Sequence, residues 1–111
     1  MTTTNTIILH EIAGKIRAFS FGPKCFETFY EKTGLTPENA VSFAKEYKGL
    51  GIAAILILTA YNAAAEQEVR QPIDEQEVQN WMQADIMGVM ALFLSALSNS
   101  VRFQQHLMNT N

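Results

Sequence analysis

Apolar and polar positions alternate with a period of two near the N-terminus and recur at helical spacing from residue 23 onward. "TIILHEIAGKIRAFSFG" reads as a β-hairpin. Its first arm, Thr6 to Glu11, is rich in isoleucine, and its second, Lys15 to Phe21, sets Ile16, Ala18 and Ser20 against Arg17, Phe19 and Phe21. The turn lies at Ile12-Ala13-Gly14. A two-residue turn would place Ala13 at positive φ, so the expectation is a three-residue loop with Gly14 left-handed. A lone hairpin is marginal in water, so this one must pack on helices or pair its edges with another chain.

Gly22-Pro23 ends the strand and opens a helix, because proline's missing N–H would be unpaired in the first turn anyway. Phe26, Phe29 and Tyr30 share one face at i, i+3 and i+4, and Gly34 suits a left-handed C-terminal cap with Leu35 behind it. Thr36 and Pro37 start a second helix with Val41, Ala44 and Tyr47 as its apolar face and Phe43 beside them. Gly49 and Gly51 are expected to break or bend the chain. A central helix then runs from about Ile52 to Glu68, where the alanine content of "AAILILTAYNAAA" favours helix over buried strand.

The clearest local signal is "EVRQPIDEQEVQNWM". Pro72 stops the preceding element. Asp74 as N-cap with Glu77 three residues later makes a capping box, and Ile73 with Val78 makes a hydrophobic staple. Trp81 follows Val78 at i+3, as a core residue. Asp85 caps a last helix in which Ile86, Val89, Met90, Phe93, Leu94 and Leu97 repeat at helical spacing, with Met87, Ala91 and Leu92 making a second apolar side. The segment from residue 99 to 111 either prolongs that helix or frays, and residues 1–5 are polar and loose. These elements predict an α+β fold: one domain over residues 1–111, with an N-terminal hairpin packed on four or five mostly short helices.

Composition narrows the function classes. The 111 residues are 48% hydrophobic and 17% charged, with a net charge of −3 and no basic stripe, which argues against nucleic acid as a partner. The apolar run from Leu50 to Tyr61 is shorter than the roughly 20 residues of a membrane span, and the N-terminus does not read as a signal peptide, so a cytoplasmic protein with no membrane contact is expected. The one cysteine, Cys25, lies in the first turn of a helix beside Lys24, a setting that lowers a thiol pKa. Catalysis also needs a base, and His10 and His106 have no obvious partner, so Cys25 reads as a half-buried structural residue and no catalytic, metal or cofactor site is expected. The carboxylates from Glu66 to Glu77 are explained by capping and solvation. A last helix apolar nearly all round must be central or must meet a partner. Met87, Met90, Leu92 and Phe93 are therefore the candidate partner-binding residues, and Asp74, Glu77 and Trp81 the structural cap and core.

Three pieces in order resemble the tail assembly chaperones of long-tailed bacteriophages and prophages: the hairpin "IAGKIRAFSFG", the aromatic helix "FETFYEKTG", and "LTAYNAAAEQEVRQPIDEQEVQNWM" with its polar loop and acidic cap. With the final helix the likeness spans roughly residues 7–97. "LTPENAVSFAKEYKGLG" departs from it by its length. The resemblance implies a non-enzymatic protein of the bacterial host cytoplasm. Such a protein binds the tape-measure protein, and often the tail-tube protein, before the tube polymerises. A self-assembling phage structural or scaffold subunit, a homo-oligomer joined through its hairpin edge, is the alternative.

Overall fold

The computed structural model describes residues 7–44 and 49–109. The expectations for residues 1–5 and for Tyr47, and those for the side chains of Val41, Phe43 and Ala44, lie outside what is described. The fold is α+β: strands β1 (Ile7–Ile12) and β2 (Lys15–Ser20) form an antiparallel hairpin, followed by α1 (Pro23–Thr33), α2 (Pro37–Ala44), α3 (Gly49–Gln67), α4 (Glu75–Ala84) and α5 (Ile86–Asn109).

The hairpin register pairs Ile12 with Lys15, Leu9 with Ala18 and Ile7 with Ser20. Its connection is therefore the two-residue turn Ala13-Gly14, with φ of 55° and 81°, rather than the three-residue loop expected from the sequence. Such primed turns match the twist of the strands they join. The strain at Ala13 is offset by an anchor distant in sequence: its N–H donates to Asp85 Oδ2 at 3.0 Å.

The helix ends follow local rules. Gly34 adopts the left-handed conformation at φ 73° and its N–H reaches the Tyr30 carbonyl at 2.7 Å. Thr36 Oγ1 accepts the Asn39 N–H at the start of α2. Gly49 opens α3 and Gly51 does not break it. They lie in the first turn of α3, where there are few intrahelical bonds for a glycine to weaken. α5 continues as helix to Asn109.

α3 is the axis of the fold, with β2, α1, α2, α4 and α5 all packed on it. Its residues Ala53, Leu56, Ile57 and Ala60 are buried, together with Ile12 and Phe19 from the hairpin, Phe29 from α1, Trp81 from α4, and Val89 and Phe93 from α5. By length and composition the stretch Leu50–Gln67 could cross a membrane, but half of it is buried inside the fold, as suits a core helix. Asn62, which interrupts its apolar run, accepts the Ile73 N–H at 2.9 Å and donates to the Ile73 carbonyl at 3.1 Å. One amide side chain thus holds the loop before α4 against α3.

Candidate functional site

The α4–α5 corner sets which way α5 faces. Asp74 Oδ1 accepts the Glu77 N–H at 3.1 Å, as a cap should. The Glu77 carboxylate does not return to the cap; it accepts the Trp81 indole N–H at 3.0 Å. That bond orients a ring which meets Phe19 and Tyr61 edge-on, at centroid distances of 6.3 and 5.5 Å, with the Arg17 guanidinium 4.3 Å above it. Trp81 is a buried junction between hairpin, α3 and α4, and only its neighbours in space could have revealed the Arg17 partner.

Asp85 then works in two directions. Oδ1 accepts the Gly88 N–H at 2.9 Å and caps α5, while Oδ2 holds the hairpin turn through Ala13. These backbone N–H bonds, from Ala13 first and Gly88 second, with a smaller contribution from His10, lower the Asp85 carboxyl below the usual carboxylate range. Gly88 leaves room for this: a Cβ there would fall 2.5 Å from Asp85 Oδ2. His10 Nε2 lies 3.1 Å from the Gly88 carbonyl, so that nitrogen carries the proton and donates. Two contacts, one from the turn and one from β1, fasten the hairpin to the start of α5.

The buried face of α5 differs from the expected repeat. Val89, Leu92, Phe93, Ala96 and Leu97 are buried. Leu92 and Phe93, expected to bind a partner, are core residues at 2% and 0% exposure. Leu92 stands three residues after Val89 and four before Ala96, so it falls on the same buried stripe. Ile86 and Leu94, which belong to the same helical repeat as Val89, Phe93 and Leu97, are 39% and 47% exposed. Of the four candidate partner residues, Met87 stands clear at 80% exposure and Met90 is half-buried. The open strip on α5 therefore comprises Ile86, Met87, Met90 and Leu94, with exposed Ala91 between them.

The cysteine has the opposite character. Cys25 is 1% exposed, and burial pushes its thiol up to about 12, so it stays protonated in spite of the helix N-terminus and Lys24. It borders a crevice between α1 and α3 in which Lys24 Nζ pairs with Glu66 at 2.7 Å and Thr59 Oγ1 donates to the Ile55 carbonyl. Among the described residues no three His, Cys, Asp or Glu side chains gather as a metal site would need. Compared with protein-family models, characterised proteins and solved structures, the chain matches none.

Proposed function

We propose that this protein is a non-enzymatic tail assembly chaperone of a phage or prophage. In the cytoplasm of the bacterial host it would bind apolar helical segments of a tape-measure protein, of a tail-tube protein, or of both before the tail polymerises. The observation that supports it is the strip Ile86, Met87 and Leu94 on α5, apolar and exposed, with half-buried Met90 among them. An amphipathic client helix needs such a surface, and methionine side chains adapt to clients of different shape. The ordered likeness of the hairpin, aromatic helix and acidic cap to that family points the same way. Binding of this kind needs no reactive group, and the one thiol of the chain is held neutral in the core.

The test is co-expression with an apolar helical segment of the matching tape-measure protein, followed by pull-down and circular dichroism. The wild-type chain is expected to keep the segment soluble. Met87→Glu and Leu94→Glu should keep the helix content but weaken binding a hundredfold or more, because a carboxylate desolvated in an apolar contact costs several kcal/mol. Leu92→Glu should instead unfold the domain, since Leu92 is 2% exposed. A client that stays insoluble, or binding indifferent to both surface glutamates, would overturn the proposal.

A further inference from the structure

The buried stripe of α5, Val89, Leu92, Phe93, Ala96 and Leu97, leaves the opposite side of the helix open. Four exposed residues run along that side: Met87, Ala91, Leu94 and Ser98. They are spaced by four, three and four residues, as along the seam of a heptad repeat. At roughly 100° of turn per residue they share a sector of about 60°, lying opposite the buried stripe. A core takes a wide stripe of a helix, and α5 already gives one to the core. A narrow heptad seam is covered instead by a second helix lying nearly parallel or antiparallel to the first.

The order of sizes along the seam selects that helix. Large and small side chains alternate: Met87, Ala91, Leu94, Ser98. Read from the other end, the order is small, large, small, large. An antiparallel copy of the same helix therefore sets Met87 against Ser98 and Leu94 against Ala91, each bulky side chain over a low one. Parallel copies would set Met87 against Met87 and Ala91 against Ala91, with gaps at the small positions. Charge favours the same arrangement. No charged residue occurs from Ile86 to Val101, so nothing on the seam repels its own copy. Asp85 bounds this stretch at one end and Arg102 at the other. Reversal brings the acidic end of one copy towards the basic end of the other, where parallel alignment would bring like to like.

We infer that α5 pairs antiparallel with α5 of a second copy of this chain, through the seam Met87, Ala91, Leu94 and Ser98. The two-fold axis passes level with Leu92 and Phe93 along the helix. The contact is isologous and closes at two copies. Its overlap is short, roughly four helical turns, so the dimer belongs with small reversible interfaces rather than obligate ones. The seam shares Met87 and Leu94 with the strip proposed for the client, so a client helix and the second copy exclude one another. That exclusion rests on the client reading; the dimer itself does not.

Sedimentation velocity of the full chain without client, at concentrations up to its solubility limit, tests the pairing. The wild type is expected to show a reversible monomer–dimer equilibrium. Leu94→Glu, at a 47% exposed position, should raise the dissociation constant at least tenfold with far-ultraviolet circular dichroism unchanged. Leu9→Gln, at a 70% exposed position on the hairpin, should leave the equilibrium as it is. Introduced cysteines report the direction. The thiol of Met87→Cys in one copy meets that of Ser98→Cys in the other. Two copies of either variant alone hold their thiols roughly 16 Å apart along the axis, beyond disulfide range. A mixture of the two variants should therefore oxidise to a covalent dimer, and each variant alone should not. Cys25 is 1% exposed and takes no part while the protein is folded. A strictly monomeric wild type would overturn the inference. So would a dimer kept on Leu94→Glu but lost on Leu9→Gln, or self-linking of Met87→Cys equal to linking of the mixture. A dimer that forms as expected while no client is held would sink the client reading alone.

Discussion

Asp85 shows how much one side chain can organise. It satisfies a backbone N–H of the left-handed turn and another in the first turn of α5, and both bonds favour its charged form. Its folded pKa lies below its unfolded one, so its contribution is complete above the unfolded value of about 3.9 and is lost as pH falls through the lower folded value. Chemical denaturation between pH 2 and pH 7 should show this as an acid limb in stability. Asp85→Asn keeps the shape of a cap without the charge and should flatten that limb. Cys25 behaves as a small apolar side chain in a full core. Native protein should resist thiol reagents and become reactive only on unfolding. Cys25→Ser should cost about 1–3 kcal/mol in denaturant titration, because it buries a hydroxyl in the thiol's apolar setting. Rapid thiol modification of the folded protein would contradict the packing around α1.

Element ends explain where α3 stops. Arg70 N–H bonds to the Ala65 carbonyl at 2.7 Å and Val69 N–H to Glu66 at 3.3 Å, the two bonds of a Schellman motif. The left-handed position in that motif suits glycine, yet here it holds Val69 at φ 54° with 93% of its surface exposed. A β-branched residue is strained in that region. Since the side chain touches almost nothing, Val69→Gly should raise stability by about 1 kcal/mol, read from the denaturation midpoint at unchanged slope. A loss of stability would mean that Val69 makes a contact more valuable than the strain it carries. Arg70, next in the chain, secures the loop differently, with its guanidinium 5.2 Å from the Tyr61 ring and bonded to Glu68 and the Tyr61 hydroxyl.

At the scale of the whole molecule, α3 unites the parts, because the hairpin and the other four helices all rest on it. A defect at its centre should therefore be felt everywhere at once. Leu56→Ala, at a fully buried position, is expected to cost about 2–5 kcal/mol. It should lower a single cooperative transition, seen at the same midpoint by circular dichroism and by Trp81 fluorescence. Separate midpoints would show that the hairpin–α4 junction folds independently of the α3 axis. What surrounds that axis is uneven. Phe19, Trp81 and Phe93 close the interior, while Leu9, Met87 and Leu94 leave apolar surface open on two neighbouring elements.

Much of the fold was legible in the sequence because its signals are local. Isoleucine content placed the first strand and period-two alternation the second, Pro23 and Gly34 bounded α1, and Asp74 with Glu77 marked the start of α4 to the residue. Each of these rests on backbone geometry and capping bonds within four residues. What the tertiary structure decided involves partners far apart in the chain. The turn closed at Ala13-Gly14 because a carboxylate 72 residues away accepts the Ala13 N–H. Glu77 turned from its cap to the indole because Trp81 needed a polar partner at the hairpin junction. The face of α5 was the least legible. Its apolar residues run nearly all round, so periodicity alone does not distinguish a buried side from an open one. Packing of α5 against α2, α3, α4 and β1 made the distinction: Leu92 and Phe93 lie in the core, and Met87 and Leu94 at the surface.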